Sequence, residues 1–214
     1  TERNEYIELI KRQLLLMWDN MRDKNTGLLY HAWDASRKAD WADKDTGCSP
    51  EIWGRAVGWY LVAAADISEM LPEGSDEQKC FETCAAKLGK ALLKFQDERT
   101  GMWYQVVDKG GSEGNWIETS CSCLFTYGLA NLVRRGILAA EYAINIDKAY
   151  RGIIEYSTQM RKREFVVKNI CIGTGVGDYD YYINRDVAEN DLHGAGAFIL
   201  MCTEYYKMKQ IQGL

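Results

Sequence analysis

The sequence predicts an all-α fold built from three helical hairpins, and two observations support it. First, apolar residues recur every three or four positions in six separate segments, which is the period of an amphipathic helix. Second, the chain repeats itself: Asp23-x-x-Thr-Gly-Leu-Leu-Tyr and Asp97-x-x-Thr-Gly-Met-Trp-Tyr share one pattern 74 positions apart (97 minus 23). Each copy follows an odd-numbered segment, so this period fits a helical hairpin that carries one long loop.

The six predicted helices are joined by long and short connections in alternation. The first has apolar residues at Ile7, Ile10 and Leu14. Ser49-Pro50-Glu51 supplies a cap, a proline and an acid for the start of the second, and Gly136 ends the fourth. The predicted helices cover residues 6–21, 50–70, 77–95, 116–135, 146–162 and 188–209.

The even-numbered helices are predicted to form an inner layer. They start with an acid, at Glu51, Glu118 and Asp191, and continue with small residues that permit close packing. The odd-numbered helices carry apolar stripes among lysines and are predicted to lie outside. Because the chain reverses at every connection, all three long loops should emerge at one end, where a site is expected. Short strands at 102–107 and 164–171 are predicted as loop decoration, the second as a hairpin arm.

The composition excludes several classes of partner. The net charge is −5 without a lysine- or arginine-rich block, so neither nucleic acid nor an anionic membrane is expected. No apolar run approaches the roughly 18 residues of a membrane span. Seven cysteines without a C-x-x-C pair favour neither a disulfide framework nor a zinc site, and they suit a reducing cytoplasm. Gly173-Thr-Gly-Val-Gly lacks the Lys-Ser/Thr of a nucleotide-binding loop, so no cofactor is predicted.

The stretch 23–60 predicts one wall of a sugar-binding site, because aromatic and charged residues crowd around its long loop. Arg55 and Trp59 are four positions apart on one helix face, with Trp53 in the first turn. A planar guanidinium suits a uronate carboxylate, and tryptophans offer flat surface to a sugar ring. The alternative is that Arg55 pairs with Glu51 and that the tryptophans belong to the core.

The two histidines are further candidates for substrate binding. His31 lies in the first long loop, three residues before Asp34, and the alternative is a packed, hydrogen-bonded histidine. Asp34 is the best carboxylate in view for orienting His31 or for a residual acid–base role. Asp191 is expected to cap the sixth helix, with His193 facing the cavity.

Two other groups of loop residues have both a functional and a structural interpretation. Tyr181, Tyr182 and Arg185 form either the rim of a subsite for the leaving sugar or packing anchors. Asp40 and Asp43 are candidate calcium ligands, although acidic loop residues are usually just solvated.

Three long passages occur in order along nearly the whole chain. They are His31-Ala-Trp-Asp with Trp53-Gly-Arg-Ala-Val-Gly-Trp59, Gly101-Met-Trp-Tyr-Gln with Gly114-Asn-Trp-Ile-Glu-Thr-Ser-Cys-Ser-Cys, and Gly173-Thr-Gly with Tyr181-Tyr-x-x-Arg185 and Asn190-Asp-Leu-His-Gly-Ala-Gly-Ala-Phe198. Together they resemble glycoside hydrolase family 105, the unsaturated rhamnogalacturonyl hydrolases. The resemblance implies an (α/α)6 barrel of six hairpins, to which residues 1–214 contribute a single domain of about three. It also implies substrate-binding roles for His31, Trp53, Arg55 and Trp59.

The resemblance further implies a reaction on pectin oligosaccharides that end in a galacturonyl residue with a C4=C5 double bond. An aspartate protonates C4, water adds at C5, and the hemiketal collapses to release the next sugar, typically rhamnose. The family's aspartate lies upstream of the region of His31, in an Asp-(Gly/Asp)-Leu-(Phe/Tyr)-Met segment that this sequence lacks. No catalytic aspartate is carried over. This chain is therefore expected to contribute only binding residues for an unsaturated oligosaccharide substrate.

Three hairpins correspond to the C-terminal half of such a barrel and leave two apolar edges open. Self-association or a missing N-terminal half is therefore expected, and a chain that begins at Thr1 need not show its natural start. Two other interpretations stand beside the enzyme: a catalytically inactive half-ring that assembles through its edges, and a different (α/α)6 sugar enzyme such as an epimerase. The sequence leaves open whether the chain turns over substrate alone.

Overall fold

The computed structural model describes residues 2–211 and 213, and this part of the chain is mostly helical, as predicted. Its helices are α1 (Glu2–Met21), α2 (Gly54–Met70), α3 (Asp76–Leu93), α4 (Thr119–Arg134), α5 (Ala143–Ser157), α6 (Tyr179–Ile183) and α7 (Leu192–Ile211). Single turns of 3-10 helix at Val107–Lys109 and Ala140–Tyr142 precede α4 and α5. No helix in the described residues is long and apolar enough to cross a membrane.

Helix α4 lies at the centre of an inner layer formed with α2 and α7. Every residue from Thr119 to Val133 is buried, because α2, α3, α5 and α7 all pack against α4. The approach of α2 to α4 depends on glycine: a Cβ atom at Gly58 would lie 2.7 Å from Leu124 Cβ, and one at Gly128 would lie 2.5 Å from Leu61 Cγ. The predicted inner layer of even-numbered helices, close-packed through small residues, is confirmed.

The first helix packs outside this layer through its last two turns. Leu14, Trp18 and Met21 are buried in the core. The Trp18 ring stacks near Tyr60 of α2 with 6.0 Å between centroids, and the Tyr60 hydroxyl donates to the Leu14 carbonyl at 3.1 Å. Buried tyrosines need such a partner for the hydroxyl, so this bond fixes α1 against α2.

The strands are short and belong to the third long loop. β1 (Thr158–Arg161) pairs antiparallel with β2 (Glu164–Val167), and β3 (Ile170–Cys171) pairs with β4 (Val187–Ala188). The hairpin arm predicted at 164–171 is confirmed, whereas the stretch 102–107 makes isolated bridges only. The predicted extension of the fifth helix to residue 162 is wrong, because the chain from residue 158 onwards pairs with β2.

The predicted start of the second helix at Ser49-Pro50-Glu51 is also wrong. The backbone of this segment bonds to other loops: the Glu51 carbonyl accepts the His31 N–H at 3.0 Å, and the Ile52 carbonyl accepts the Val107 N–H at 3.1 Å. Helix α2 begins three residues later, after Trp53. The fourth and sixth predicted helices likewise start late, at 119 and 192, and α6 lies in a stretch predicted as loop.

The three long loops meet at one end of the inner layer, as the topology predicted. The Gly54 N–H, at the end of the first loop, donates to the Gln105 carbonyl of the second at 2.8 Å. The Thr119 N–H, which follows the second loop, donates to the Asn169 carbonyl of the third at 3.0 Å. This end therefore brings the N-termini of α2, α4 and α7 close to residues from every loop.

Candidate functional site

Three aromatic side chains from distant parts of the sequence form a cluster at the loop end. His31 comes from the first loop, Trp53 precedes α2, and Tyr182 lies on α6. The ring centroids of His31 and Trp53 are 4.6 Å apart, and those of Trp53 and Tyr182 are 6.0 Å apart in a stacked arrangement. Trp53 and Tyr182 are buried while His31 is half-buried. Two of the three rings are therefore almost completely enclosed by protein.

Arg55 lies directly against this cluster, with its guanidinium carbon 4.6 Å from the centroid of the Trp53 ring. The side chain is buried, and Nη1 donates to Ser120 Oγ at 3.2 Å and to the Cys171 carbonyl at 2.5 Å. Nη2 donates to the Ile172 carbonyl at 2.6 Å. Arg55 thus ties α2 to α4 and to the third loop. Among the described residues, Nε and the second hydrogen of Nη2 have no protein acceptor, so two of the five guanidinium donors are unpaired.

The alternative prediction, that Arg55 pairs with Glu51, is wrong. The Glu51 carboxylate is paired with Lys109, whose Nζ lies 2.7 Å from Oε1. Arg55 is instead linked to the carboxylate of Glu118 through Ser120. The Ser120 hydroxyl accepts a hydrogen bond from Arg55 and donates one to Glu118 Oε2 at 2.8 Å. Glu118 itself is almost completely buried. The alignment of acids at the starts of the even helices was the signal in the sequence for this residue.

His31 is neutral at physiological pH. Burial and the neighbouring charge of Arg55 lower its pKa to about 4. Its Nδ1 lies 2.5 Å from the Tyr182 hydroxyl. An uncharged imidazole can donate or accept a hydrogen bond toward a sugar but carries no charge for a uronate carboxylate.

The expected contact between Asp34 and His31 does not form. The Asp34 carboxylate accepts the backbone N–H groups of Ser36, Lys38 and Ala39 at 2.9, 2.8 and 2.9 Å. These bonds stabilise the charged form and lower the pKa of Asp34 to about 2. Asp34 closes a local turn. The hydrogen-bond partner of His31, which was predicted to be Asp34, is Tyr182.

Asp191 and His193 lie at the start of α7. Asp191 Oδ1 accepts the His193 N–H at 2.9 Å, which confirms the predicted cap, and it also lies 2.7 Å from His193 Nδ1. A Cβ atom at Gly173 would be 3.6 Å from His193 Cε1. His193 therefore borders the loop whose carbonyls hold Arg55, and its side chain is half exposed.

Trp59 is placed differently from the other predicted binding residues. It lies one turn beyond Arg55 on α2 and is 44% exposed. The structure therefore brings His31, Trp53 and Arg55 into one cluster and leaves Trp59 as an open aromatic surface on the same helix. Such a face is available for stacking without any rearrangement of the core.

The third loop is held by its own side chains. The Tyr181 hydroxyl accepts the Gly175 N–H at 3.1 Å, and Arg185 donates to the Gly173 carbonyl at 2.8 Å. Tyr182 is completely buried. Of the two interpretations that the sequence left open, a subsite rim or packing anchors, these contacts support packing anchors.

The carboxylate of Asp43, one of the two candidate calcium ligands, is engaged in a turn. It accepts the Thr46 N–H at 2.7 Å and the Thr46 hydroxyl at 2.9 Å. Within residues 2–211, no group of three or more His, Cys, Asp or Glu side chains is arranged to hold a metal ion. The groups that the loop end offers are hydrogen-bond donors and aromatic faces.

Comparison with known proteins gives concordant matches. Residues 1–209 match the family model described as Glycosyl Hydrolase Family 88. Protein Atu3128 of Agrobacterium fabrum and the 24.9 kDa protein in the picA locus of Rhizobium radiobacter are each 32% identical over 219 residues, 95% of this chain and 92% of the relative.

Solved structures match over the whole fold. A family 105 glycoside hydrolase from C. acetobutylicum is 34% identical with a TM-score of 0.87, covering 94% of this chain and 61% of that protein. A possible member of the GH105 family from Klebsiella pneumoniae is 27% identical with a TM-score of 0.80, covering 98% of this chain and 51% of that one. This chain thus spans roughly half to three-fifths of these solved relatives.

Proposed function

Because the chain belongs to glycosyl hydrolase family 88, we propose that it forms the substrate-binding side of an enzyme that hydrolyses unsaturated galacturonyl-rhamnose oligosaccharides from pectin. The resemblance to family 105 is confirmed by the match to the C. acetobutylicum hydrolase. The proposal rests on one observation: His31, Trp53 and Arg55 lie together where the three long loops meet. The reaction would be hydration of the C4=C5 double bond.

Each group in the cluster has a physical role toward such a ligand. The two remaining donors of Arg55 suit a uronate carboxylate, and the cation strengthens those bonds. The neutral His31 suits a hydroxyl group. Trp59 offers a face for the apolar side of a sugar ring, and His193 borders the same end of the layer.

The acidic residues near the cluster are already committed, so the proton donor is assigned outside this chain. Glu118 accepts four hydrogen bonds, and Asp34 closes its turn. Asp191 is bound to His193, and Glu51 is paired with Lys109. A general acid needs a pKa near the working pH and access to the reacting atom. These carboxyl groups are held by the partners named above and are not free to approach a reacting atom.

We also propose that a second half-ring covers the open faces of α7 and α1. Nine consecutive residues of α7, Gly194–Cys202, are glycine or apolar, yet Ile199 and Leu200 within them are 66% and 37% exposed. Tyr6 and Leu9 are exposed in the same way on α1. A helix that is apolar on every side is normally buried, and the solved relatives continue well beyond the length that this chain matches.

In a preparation of this chain alone, the available half-ring is a second copy, so light scattering should give about twice the mass of 24.4 kDa. Ile199→Glu should dissociate the pair, because it places a charge in the covered face. Ile144→Glu is the matched control, since Ile144 is also highly exposed, at 76%, but lies on α5. A single-chain mass for the unmodified protein would contradict the proposal.

We propose the cytoplasm as the location of the protein. All seven cysteines carry free thiols, and five of them are buried. A reducing compartment keeps such thiols unpaired. Recovery of the chain in a periplasmic or extracellular fraction, with these thiols oxidised, would contradict this assignment.

The function is tested by binding of an unsaturated galacturonyl-rhamnose disaccharide, with the saturated disaccharide as a control. Trp59→Ala should weaken binding several-fold, as expected from the loss of about 1 kcal/mol of stacking energy. Met70→Ala on the same helix is the matched control, because Met70 is highly exposed and lies at the far end. Equal affinity for both disaccharides, or an unchanged affinity of Trp59→Ala, would refute the binding role.

Turnover is measured in the same samples as loss of the ultraviolet absorbance of the double bond. Binding without turnover is the expected result for the chain alone, because its carboxyl groups are committed elsewhere. Arg55→Met is unsuitable as a probe, since removal of the guanidinium would take away the side-chain donor that binds the buried carbonyl of Cys171.

A further inference from the structure

The buried hydroxyl of Tyr182 makes a contact with His31 that the proposed function does not explain. We propose that Tyr182 is a positioning residue that holds His31 in the neutral tautomer with its proton on Nε2, so that Nε2–H is presented as a hydrogen-bond donor to the ligand. This inference rests on the proposed function for the identity of the ligand, a sugar with hydroxyl and carboxylate oxygens. The tautomer itself follows from contacts within the chain.

The hydrogen-bond geometry around the Tyr182 hydroxyl determines the direction of the bond. A phenol oxygen has one hydrogen to donate and can accept further bonds. The Gly177 N–H donates to Tyr182 Oη at 3.2 Å, so the phenol accepts on that side. In the described residues, the acceptor left for its own hydrogen is His31 Nδ1, at 2.5 Å.

The opposite arrangement is unfavourable. If Nδ1 carried the proton and donated to Tyr182, the buried phenol hydrogen would have no acceptor, and a buried unsatisfied donor carries its full desolvation cost. Tyr182 is completely buried, so water does not reach the hydroxyl in its place. An imidazolium, with protons on both nitrogens, is disfavoured by burial and by Arg55. The remaining form is the neutral ring protonated at Nε2.

Tyr182 is well fixed for this role. Its ring stacks on Trp53 at an interplanar angle of 17°. Its carbonyl accepts a hydrogen bond from the buried amide of Gln105, and the Asp178 side chain caps the short helix that carries it. Because its ring, its backbone carbonyl and its helix are all held in this way, Tyr182 does not move with His31 into a different rotamer. The tautomer is therefore set before any ligand arrives.

The consequence concerns specificity. His31 Nε2 has no protein partner among the described residues, and with a proton it can only donate. Sugar hydroxyl and carboxylate oxygens accept such a bond, whereas a donor group of the ligand at this point is left unpaired. Tyr182 thus acts on the ligand through His31 without touching it.

The test uses side-chain nitrogen NMR of the ligand-free protein, in which His31 and His193 are the two histidines. His31 should show a proton on Nε2 and none on Nδ1. His193 should differ, because its Nδ1 faces the Asp191 carboxylate at 2.7 Å and is expected to carry the proton. A proton on Nδ1 of His31 would overturn the proposal, and this measurement requires no mutant.

Tyr182→Phe should release His31 into a mixture of both tautomers and weaken disaccharide binding. Tyr181→Phe is the matched control and should leave the His31 nitrogens unchanged, because Tyr181 bonds to Gly175. An unaltered His31 spectrum in folded Tyr182→Phe would also overturn the proposal. If His31 shows the predicted tautomer but the disaccharide does not bind, the proposed function fails while the positioning role stands.

Discussion

Glu51 and Glu118 occupy matching positions in the repeat, just before α2 and α4, and both are buried, at 6% and 1% exposure. Glu118 accepts the N–H groups of Ser120, Cys121 and Cys171 at 3.0, 2.7 and 3.0 Å. It also accepts the Ser120 hydroxyl. Its carboxylate is thus the N-terminal cap of α4 and the link from α4 to β3.

Glu51 has a much poorer environment. It pairs with Lys109, whose Nζ lies 2.7 Å from Oε1 and 2.7 Å from the buried Oε2, but no other group among the described residues donates a hydrogen bond to the carboxylate. Burial raises the pKa of Glu51 above its usual range, against the opposing effect of Lys109. The side chain of Trp53, the N-cap residue of α2, makes no capping hydrogen bond.

The two environments differ because the helices start at different distances from the acid. Helix α4 begins immediately after Glu118, and α7 begins immediately after Asp191, so both acids reach the first free N–H groups. Helix α2 begins three residues after Glu51, since the chain between them bonds to the second loop. An aligned acid is therefore a cap only when the helix begins directly behind it.

The largest effect in this comparison is expected for Glu118→Gln. The amide keeps the shape but loses the charge and one acceptor, so several buried N–H groups lose a charge-assisted partner. The free energy of unfolding should fall by about 2–4 kcal/mol, measured by urea denaturation. Glu98→Gln is the control, because Glu98 is exposed in the same loop. A loss no larger than in this control would mean that the four bonds contribute little.

Much of the fold could be predicted from local pattern. Helical periodicity located the six long helices, and the reversal of the chain at each connection placed the three loops at one end. The cap at Asp191 followed from its position. The start of α2 could not be predicted, because the backbone of residues 51–54 bonds to residues 105–107. Backbone pairing over such a separation leaves no mark in the local sequence.

The candidate site was only partly predictable for the same reason. Arg55 was singled out from its spacing to Trp59, but its acceptors include the backbone carbonyls of Cys171 and Ile172, which any residue type could supply. The contact between His31 and Tyr182 joins positions 151 residues apart. Asp34 was predicted as the partner of His31 because the two are close in sequence, and the fold instead brings the distant Tyr182 into contact with His31.

A smaller effect, which depends on pH, is expected for Glu51→Gln. At about pH 7 the change in unfolding free energy should stay within about 1 kcal/mol, since the substitution loses the pair with half-exposed Lys109 but also removes a buried charge. A carboxyl whose pKa is raised by folding binds its proton more tightly in the native state. The unmodified protein should therefore gain stability relative to the variant as pH falls from neutral toward the unfolded carboxyl pKa of about 4.3.

Urea denaturation of both proteins at about pH 7 and about pH 5 measures this difference, with exposed Glu113→Gln as the control. A difference that shrinks on acidification would show that Lys109 satisfies Glu51 as fully as the backbone satisfies Glu118.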